Sequence, residues 1–124
     1  MTASSIDRPP SDLVALDVSR TGSLVLITAT GEIDSSSAPV VREQLDALLD
    51  GDATEITLDL GRVTFLDSAG LCVLAAAYRR ATTQDVRMRV LASTRPVIRP
   101  LQITGLWDLL KVEQTSPETD HAVA

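Results

Sequence analysis

One cysteine, one histidine, one lysine and three aromatic residues occur among the 124 residues of this chain, and each scarcity closes a class of chemistry. A single Cys72 allows no intramolecular disulfide and no cysteine-based zinc site, and it fits a reducing cytosol. The single His121 stands in a polar C-terminal stretch, and no group of His, Cys and carboxylates has ligand spacing, so metal binding is not expected. Phosphate-cradling glycines are missing too. Neither G-x-x-x-x-G-K-[ST] nor G-x-G-x-x-G occurs, and the lone Lys111 lies near the C-terminus. No cofactor is expected. With Phe65, Tyr78 and Trp107 the only aromatics, the core must be built from Val, Leu, Ile and Ala.

Positive charge is also scarce. Eleven Lys and Arg stand against seventeen Asp and Glu, a net charge of −6. A nucleic-acid binder needs clustered cations to neutralise phosphates, and here Arg79 and Arg80 form the only strong basic pair. Direct binding to nucleic acid is therefore not expected. No apolar run approaches the ~20 residues that cross a bilayer, so no membrane association is expected. The opening "MTASSIDRPPSD" has neither the basic segment nor the apolar core of a signal peptide. A cytoplasmic location is the expectation.

What is present suits a soluble globular domain: 44% apolar and 23% charged residues, in a length close to the usual ~100–150 for one domain. Residues 1–11 and 114–124 are rich in Ser, Pro and charge and read as flexible tails around a body at 12–113. Within that body, "LVALDVS" (13–19), the turn "RTG" (20–22) and "SLVLITATG" (23–31) predict a hairpin. A polar loop, "GEIDSSSAP" (31–39), leads into a helix near 39–50, with Ser37 as its cap, Pro39 in its first turn and Gly51 after its end. Val41, Leu45, Leu48 and Leu49 give that helix an apolar face.

"EITLDL" (55–60) reads as a strand, and Gly61 as a turn towards a second strand-like run at 63–66. A helix over 68–82 follows, capped by Asp67 or Ser68, with Arg79 and Arg80 against its negative end. "VRMRVLA" (86–92) is a strand. A helix near 95–104 starts at Ser93 or Thr94, is kinked by Pro100 and ends at Gly105. "LLKVE" (109–113) predicts a last short strand. The alternation implies an α/β fold, a mixed four- to five-stranded sheet with about three helices packed on one side. Ile56, Leu58, Phe65, Leu71 and Leu74 are expected in its core.

The stretch "VTFLDSAGLCVLAAAY" (63–78) places one carboxylate and one hydroxyl between two apolar elements. A nucleophilic Ser68 needs a base, usually His. The only His stands in the expected tail, and "LDSAG" is not the G-x-S-x-G elbow. No enzymatic activity is expected. Helix capping is the plain alternative, since Ser or Asp there satisfies orphan N–H groups for ~1 kcal/mol. Yet one capping group suffices where two are present, and the small Ala69 and Gly70 leave the hydroxyl open to an approaching protein. A hydroxyl at a helix N-terminus is also a good position for a phosphate, which would add about −1.5 to −2 charges where N–H dipoles point outward.

The succession "GEIDSSSAP", "ITLDLGRVTFLDSAGLCVLAAAYRRA" and "PVIRPLQITGL" is similar to the STAS domains of anti-sigma-factor antagonists, over residues 13–113. The resemblance implies a regulatory binding protein. Its unphosphorylated form captures an anti-sigma factor that is also a serine kinase of the GHKL type, and so frees the sigma factor. The kinase phosphorylates the serine after the motif Asp, here Ser68, and a metal-dependent phosphatase restores it. The resemblance places Asp34 and Glu32 of the first loop on the partner-binding surface together with Asp67, Ser68, Ala69 and Gly70. Position 69 is Ala where many members carry a second Ser or Thr, and Cys72 stands where Gly is common. Alternatives are a STAS module of another assembly, stressosome-like or lipid-transporting, and a small-ligand or nucleotide-binding domain. Asp34, in a Ser-rich loop, is expected to serve binding and not folding.

Overall fold

Thr21 and Leu24 face each other across Gly22 and Ser23, and that two-residue connection sets the register of the opening hairpin. Gly22 has a φ of +63°, which glycine adopts without the steric cost a side chain would bring. In a computed structural model of the chain, which describes residues 13–116, strand β1 (Val14–Thr21) returns antiparallel onto β2 (Leu24–Ile33). Helix α1 (Ala38–Leu49) carries the chain over to β3 (Glu55–Leu66), which lies parallel to β2. Helix α2 (Ser68–Thr83) leads to β4 (Arg87–Ala92), again parallel. Helices α3 (Arg95–Ile103) and α4 (Leu106–Leu109) precede the two-residue β5 (Glu113–Gln114). The sheet runs in sequence order, β1 to β5.

The aliphatic core is as the composition requires. Val25, Ile27 and Ala29 of β2, Ile56, Leu58 and Leu60 of β3, and Met88, Val90 and Ala92 of β4 alternate inwards. Val41, Leu45 and Leu49 of α1 meet them, with Leu71, Leu74 and Ala77 of α2 and Val97 and Leu101 of α3. The alternate strand positions stay accessible, and there Arg89 bridges Glu113 at 2.8 Å and Glu55 at 3.7 Å. Arg80 pairs with Asp46 at 3.3 Å and with Asp50, tying α2 to α1. Arg80 stands in the last turn of α2, as expected, and the partnership with α1 is an addition to that position.

Five expectations need correction. Residues 55–66 form one strand, because Gly61 does not turn the chain. Its N–H donates to Asp59 Oδ1 at 2.9 Å and its carbonyl accepts from Ser93 Oγ at 3.2 Å. The ladder instead shifts register between Thr28 and Thr30 and between Gly31 and Glu32. These irregularities break the alternation of β3, so that Val63 and Leu66 are both buried and Phe65, expected inside, is 46% exposed.

Residues 109–113 are not a strand. Gly105, at φ +82°, opens the short helix α4, a turn follows, and only Glu113–Gln114 pairs with β4. Ser37 caps α1 by position but not with its side chain. Pro100 stands inside α3 and Thr94 is its N-cap residue, both as expected, and the Thr94 hydroxyl donates to Val63 O at 3.2 Å. The expected C-terminal tail begins no earlier than residue 115, since Gln114 is in the sheet. The expected N-terminal tail and residues 117–124 lie outside the described residues.

A candidate switch and docking site at the ends of two strands

β2 and β3 are parallel neighbours, and their last paired residues are Ile33 and Leu66. The loop carrying Asp34 and the segment carrying Ser68 therefore leave the sheet side by side, at the strand ends where parallel folds most often place their sites. The backbone joins them directly, with Asp67 N–H donating to Ile33 O at 3.2 Å.

Asp67 is the cap of α2. Its backbone is extended (φ −107°, ψ −168°), and its Oδ1 accepts from the N–H groups of Ala69 at 2.9 Å and Gly70 at 3.3 Å. Ser68 is the first helical residue and is exposed. The two polar side chains thus divide the work that the sequence left shared. Asp67 satisfies the helix end, and the Ser68 hydroxyl is spare.

Gly70 is buried, contrary to the open approach expected of it. A Cβ there would run into Leu66 Cδ1 and lie 2.8 Å from Ile33 Cγ2. Its smallness lets α2 press onto the ends of β2 and β3. Ala69 is half-buried at the same place.

Asp34 also has intramolecular work. Its Oδ1 accepts from Ser36 N–H at 2.9 Å, Ser36 Oγ at 2.7 Å and Ser37 N–H at 3.1 Å. The hydroxyl of Ser37, which is fully buried, holds one proton and donates it to Glu32 O at 2.7 Å while accepting from Asp34 N–H at 2.9 Å. The Ser36 hydroxyl first, then backbone N–H groups, hold the Asp34 carboxyl below the usual carboxylate range. These bonds order the entry to α1, which was not expected of a side chain placed there for binding. Glu32 is exposed and sits directly across from Phe65.

Two features escaped the sequence. An open groove runs between α1 and α2 from Ser35 and Ala69 to Arg42 and Arg79, with Cys72 exposed along it. The other is the outward Phe65. Only the strand irregularity turns it out, and no residue pattern signals that. His121 lies outside the described residues, and no helix among those described is long and apolar enough to cross a membrane.

The STAS domain family model matches residues 15–119. An anti-sigma-B factor antagonist of Bacillus subtilis is 30% identical over 103 residues, which cover 83% of this chain and 94% of the relative. Among solved structures, an anti-sigma factor antagonist from Mycobacterium paratuberculosis is 28% identical with a TM-score of 0.76, covering 90% of this chain and 92% of that one. The Bacillus cell fate determinant SpoIIAA in its phosphorylated form has a TM-score of 0.66 at 21% identity, covering 88% and 96%, a likeness of fold alone. With the match extending over the whole described body, and the strand order and site just described, the chain belongs to the STAS domain family.

Proposed function

We propose that this chain is an anti-sigma factor antagonist switched by phosphorylation at Ser68. Unphosphorylated, it binds a serine-kinase anti-sigma factor of the GHKL type through the end of the sheet formed by Glu32, Asp34, Asp67, Ser68 and Ala69, and the sigma factor is released. The kinase then phosphorylates Ser68 and loses its grip, and a metal-dependent phosphatase resets the site. The observation that carries the reading is the spare hydroxyl. Ser68 is exposed at the first turn of α2, while Asp67 alone does the capping.

A phosphate there gains ~0.3–1 kcal/mol from the helix N-terminus and loses a comparable amount to Asp67 next to it, so the fold tolerates it. A docked partner does not. A phosphate of about −1.5 to −2 charges, about 6 Å from one partner carboxylate at an effective dielectric near 20, is repelled by about 4–5.5 kcal/mol before screening. The antagonist relative from Bacillus subtilis is matched over 94% of its length, which favours the antagonist reading over that of a STAS module from a different kind of assembly.

The test is to recover the partner with wild-type bait, incubate the purified pair with ATP, and weigh the intact protein. Wild-type chain gains one phosphate and Ser68→Ala gains none. Phosphate on the Ser68→Ala chain, or recovery of no kinase, contradicts the proposal.

A further inference from the structure

Three residues before Ser68, Phe65 lies 46% exposed while its neighbour Leu66 is 3% exposed. It is one of only three aromatics in the chain. Together with Leu66 it lines a shallow apolar groove whose other wall is α3, through Arg95, Pro96, Arg99 and Pro100. The two prolines are four apart, as are the two arginines, so each pair recurs on one side of the helix. Proline also gives the wall little rotamer freedom to lose on binding. An aromatic left in water beside such a wall is a cost that burial against a partner would remove.

The charges say what kind of segment the groove takes. Arg95 and Arg99 are both exposed, and neither takes part in an ion pair among the described residues. Arg20, Arg42, Arg80 and Arg89 each face a carboxylate of this chain, while Arg62, Arg79 and Arg87 share with Arg95 and Arg99 the lack of an ion pair among the described residues but do not line this groove. In a protein of net charge −6, an aromatic flanked by two uncommitted guanidinium groups is complementary to an apolar segment bordered by carboxylates. Aromatic and arginine side chains are also the types that dominate binding energy at protein interfaces.

The groove continues the docking end already described, because Phe65 pairs across the ladder with Glu32 and leads through Leu66 and Asp67 to Ser68. We infer that the anti-sigma factor partner lays an acidic, apolar segment into the Phe65–α3 groove, with its carboxylates on Arg95 and Arg99. The inference rests on the functional reading above and adds the sign of the switch. A partner that brings carboxylates to Arg95 and Arg99 brings them to the neighbourhood of Ser68, where a new phosphate repels them.

The experiment is a calorimetric titration of the purified anti-sigma factor with wild-type protein, Ser68→Asp, Phe65→Ser, the pair Arg95→Glu with Arg99→Glu, and Arg87→Glu. Arg87 opens β4 opposite Glu55, at the other end of the sheet, and Arg87→Glu controls for charge reversal at a single site, half the charge change of the double variant. The expected result is a loss of about tenfold or more for Phe65→Ser and for the double arginine variant, with melting as for wild type. The arginine loss should shrink at high salt, and Arg87→Glu should bind within about twofold of wild type. Loss in Ser68→Asp alone, with both groove variants binding as wild type, overturns the groove and leaves the functional reading intact. An equal loss in Arg87→Glu also overturns the groove. A wild-type protein that does not bind overturns the functional reading itself.

Discussion

Gly70→Ala sets two physical effects of opposite sign against each other at the foot of α2. Intrinsic propensity favours alanine in a helix by up to about 1 kcal/mol, and less in the first turn, where Gly70 stands. Packing opposes it. The new methyl would meet Leu66 Cδ1 well inside contact distance, Ile33 Cγ2 at 2.8 Å and Ile33 O at 3.4 Å. Leu66 and Ile33 are 3% and 1% exposed, so neither side chain has open space to move into. Overpacking of this kind costs about 1–3 kcal/mol. The net expectation is a destabilisation of about 1–2 kcal/mol, read as a lower urea midpoint at unchanged slope. Leu66→Val removes the colliding carbon, so the double variant should be less destabilised than the sum of the two singles. A Gly70→Ala protein that is more stable than wild type would refute this reasoning, and would return Gly70 to the exposed role that the sequence suggested.

Leu74→Ala, at a position 1% exposed in the middle of α2, should cost ~2–5 kcal/mol in urea unfolding. Asp67→Ala removes the side-chain cap of α2 and should cost ~1 kcal/mol, whereas Ser68→Ala, exposed and outside the capping, should melt within the noise of surface substitutions. Asp34→Ala should melt below wild type. The folded Asp34 carboxyl titrates below its unfolded value, so its contribution is complete above the ordinary carboxylate range and is lost as pH falls through it. The gap between the two melting curves should therefore close on acidification, and a gap that is constant with pH contradicts the role given to the Asp34–Ser36 hydrogen bonds.

The fold was legible because its signals are local and agree with one another. Period-two runs gave β1 and β4, a continuous β-rich run gave β2, apolar spacing gave α1 and α2, and the alternation after the hairpin gave the parallel crossovers. The errors lie where long-range pairing overrides local pattern. "GRVTFL" looks like a turn and a new strand, but pairing with β2 through two register shifts holds it in one strand and turns Phe65 outwards. "LLKVE" has strand composition, yet Leu110 and Val112 are buried where a turn ends α4 and only Glu113 and Gln114 reach β4. At the site, the pair Asp67–Ser68 was visible in the sequence, but its division of labour was not. Which of two adjacent oxygens caps a helix depends on the backbone angles at the junction, and here Asp67 is the extended residue. The burial of Gly70 and the bonding of Asp34 are likewise set by how closely α2 and the first loop settle on the strand ends.

The most direct measurement is the affinity of the serine-kinase anti-sigma factor for the protein before and after stoichiometric phosphorylation of Ser68, with melting curves of both forms. Repulsion of about 4–5.5 kcal/mol corresponds to a loss of roughly three to four decades in affinity, with the two forms melting alike. Equal affinities for the two forms would contradict the switch and leave Ser68 an ordinary exposed residue beside the cap of α2.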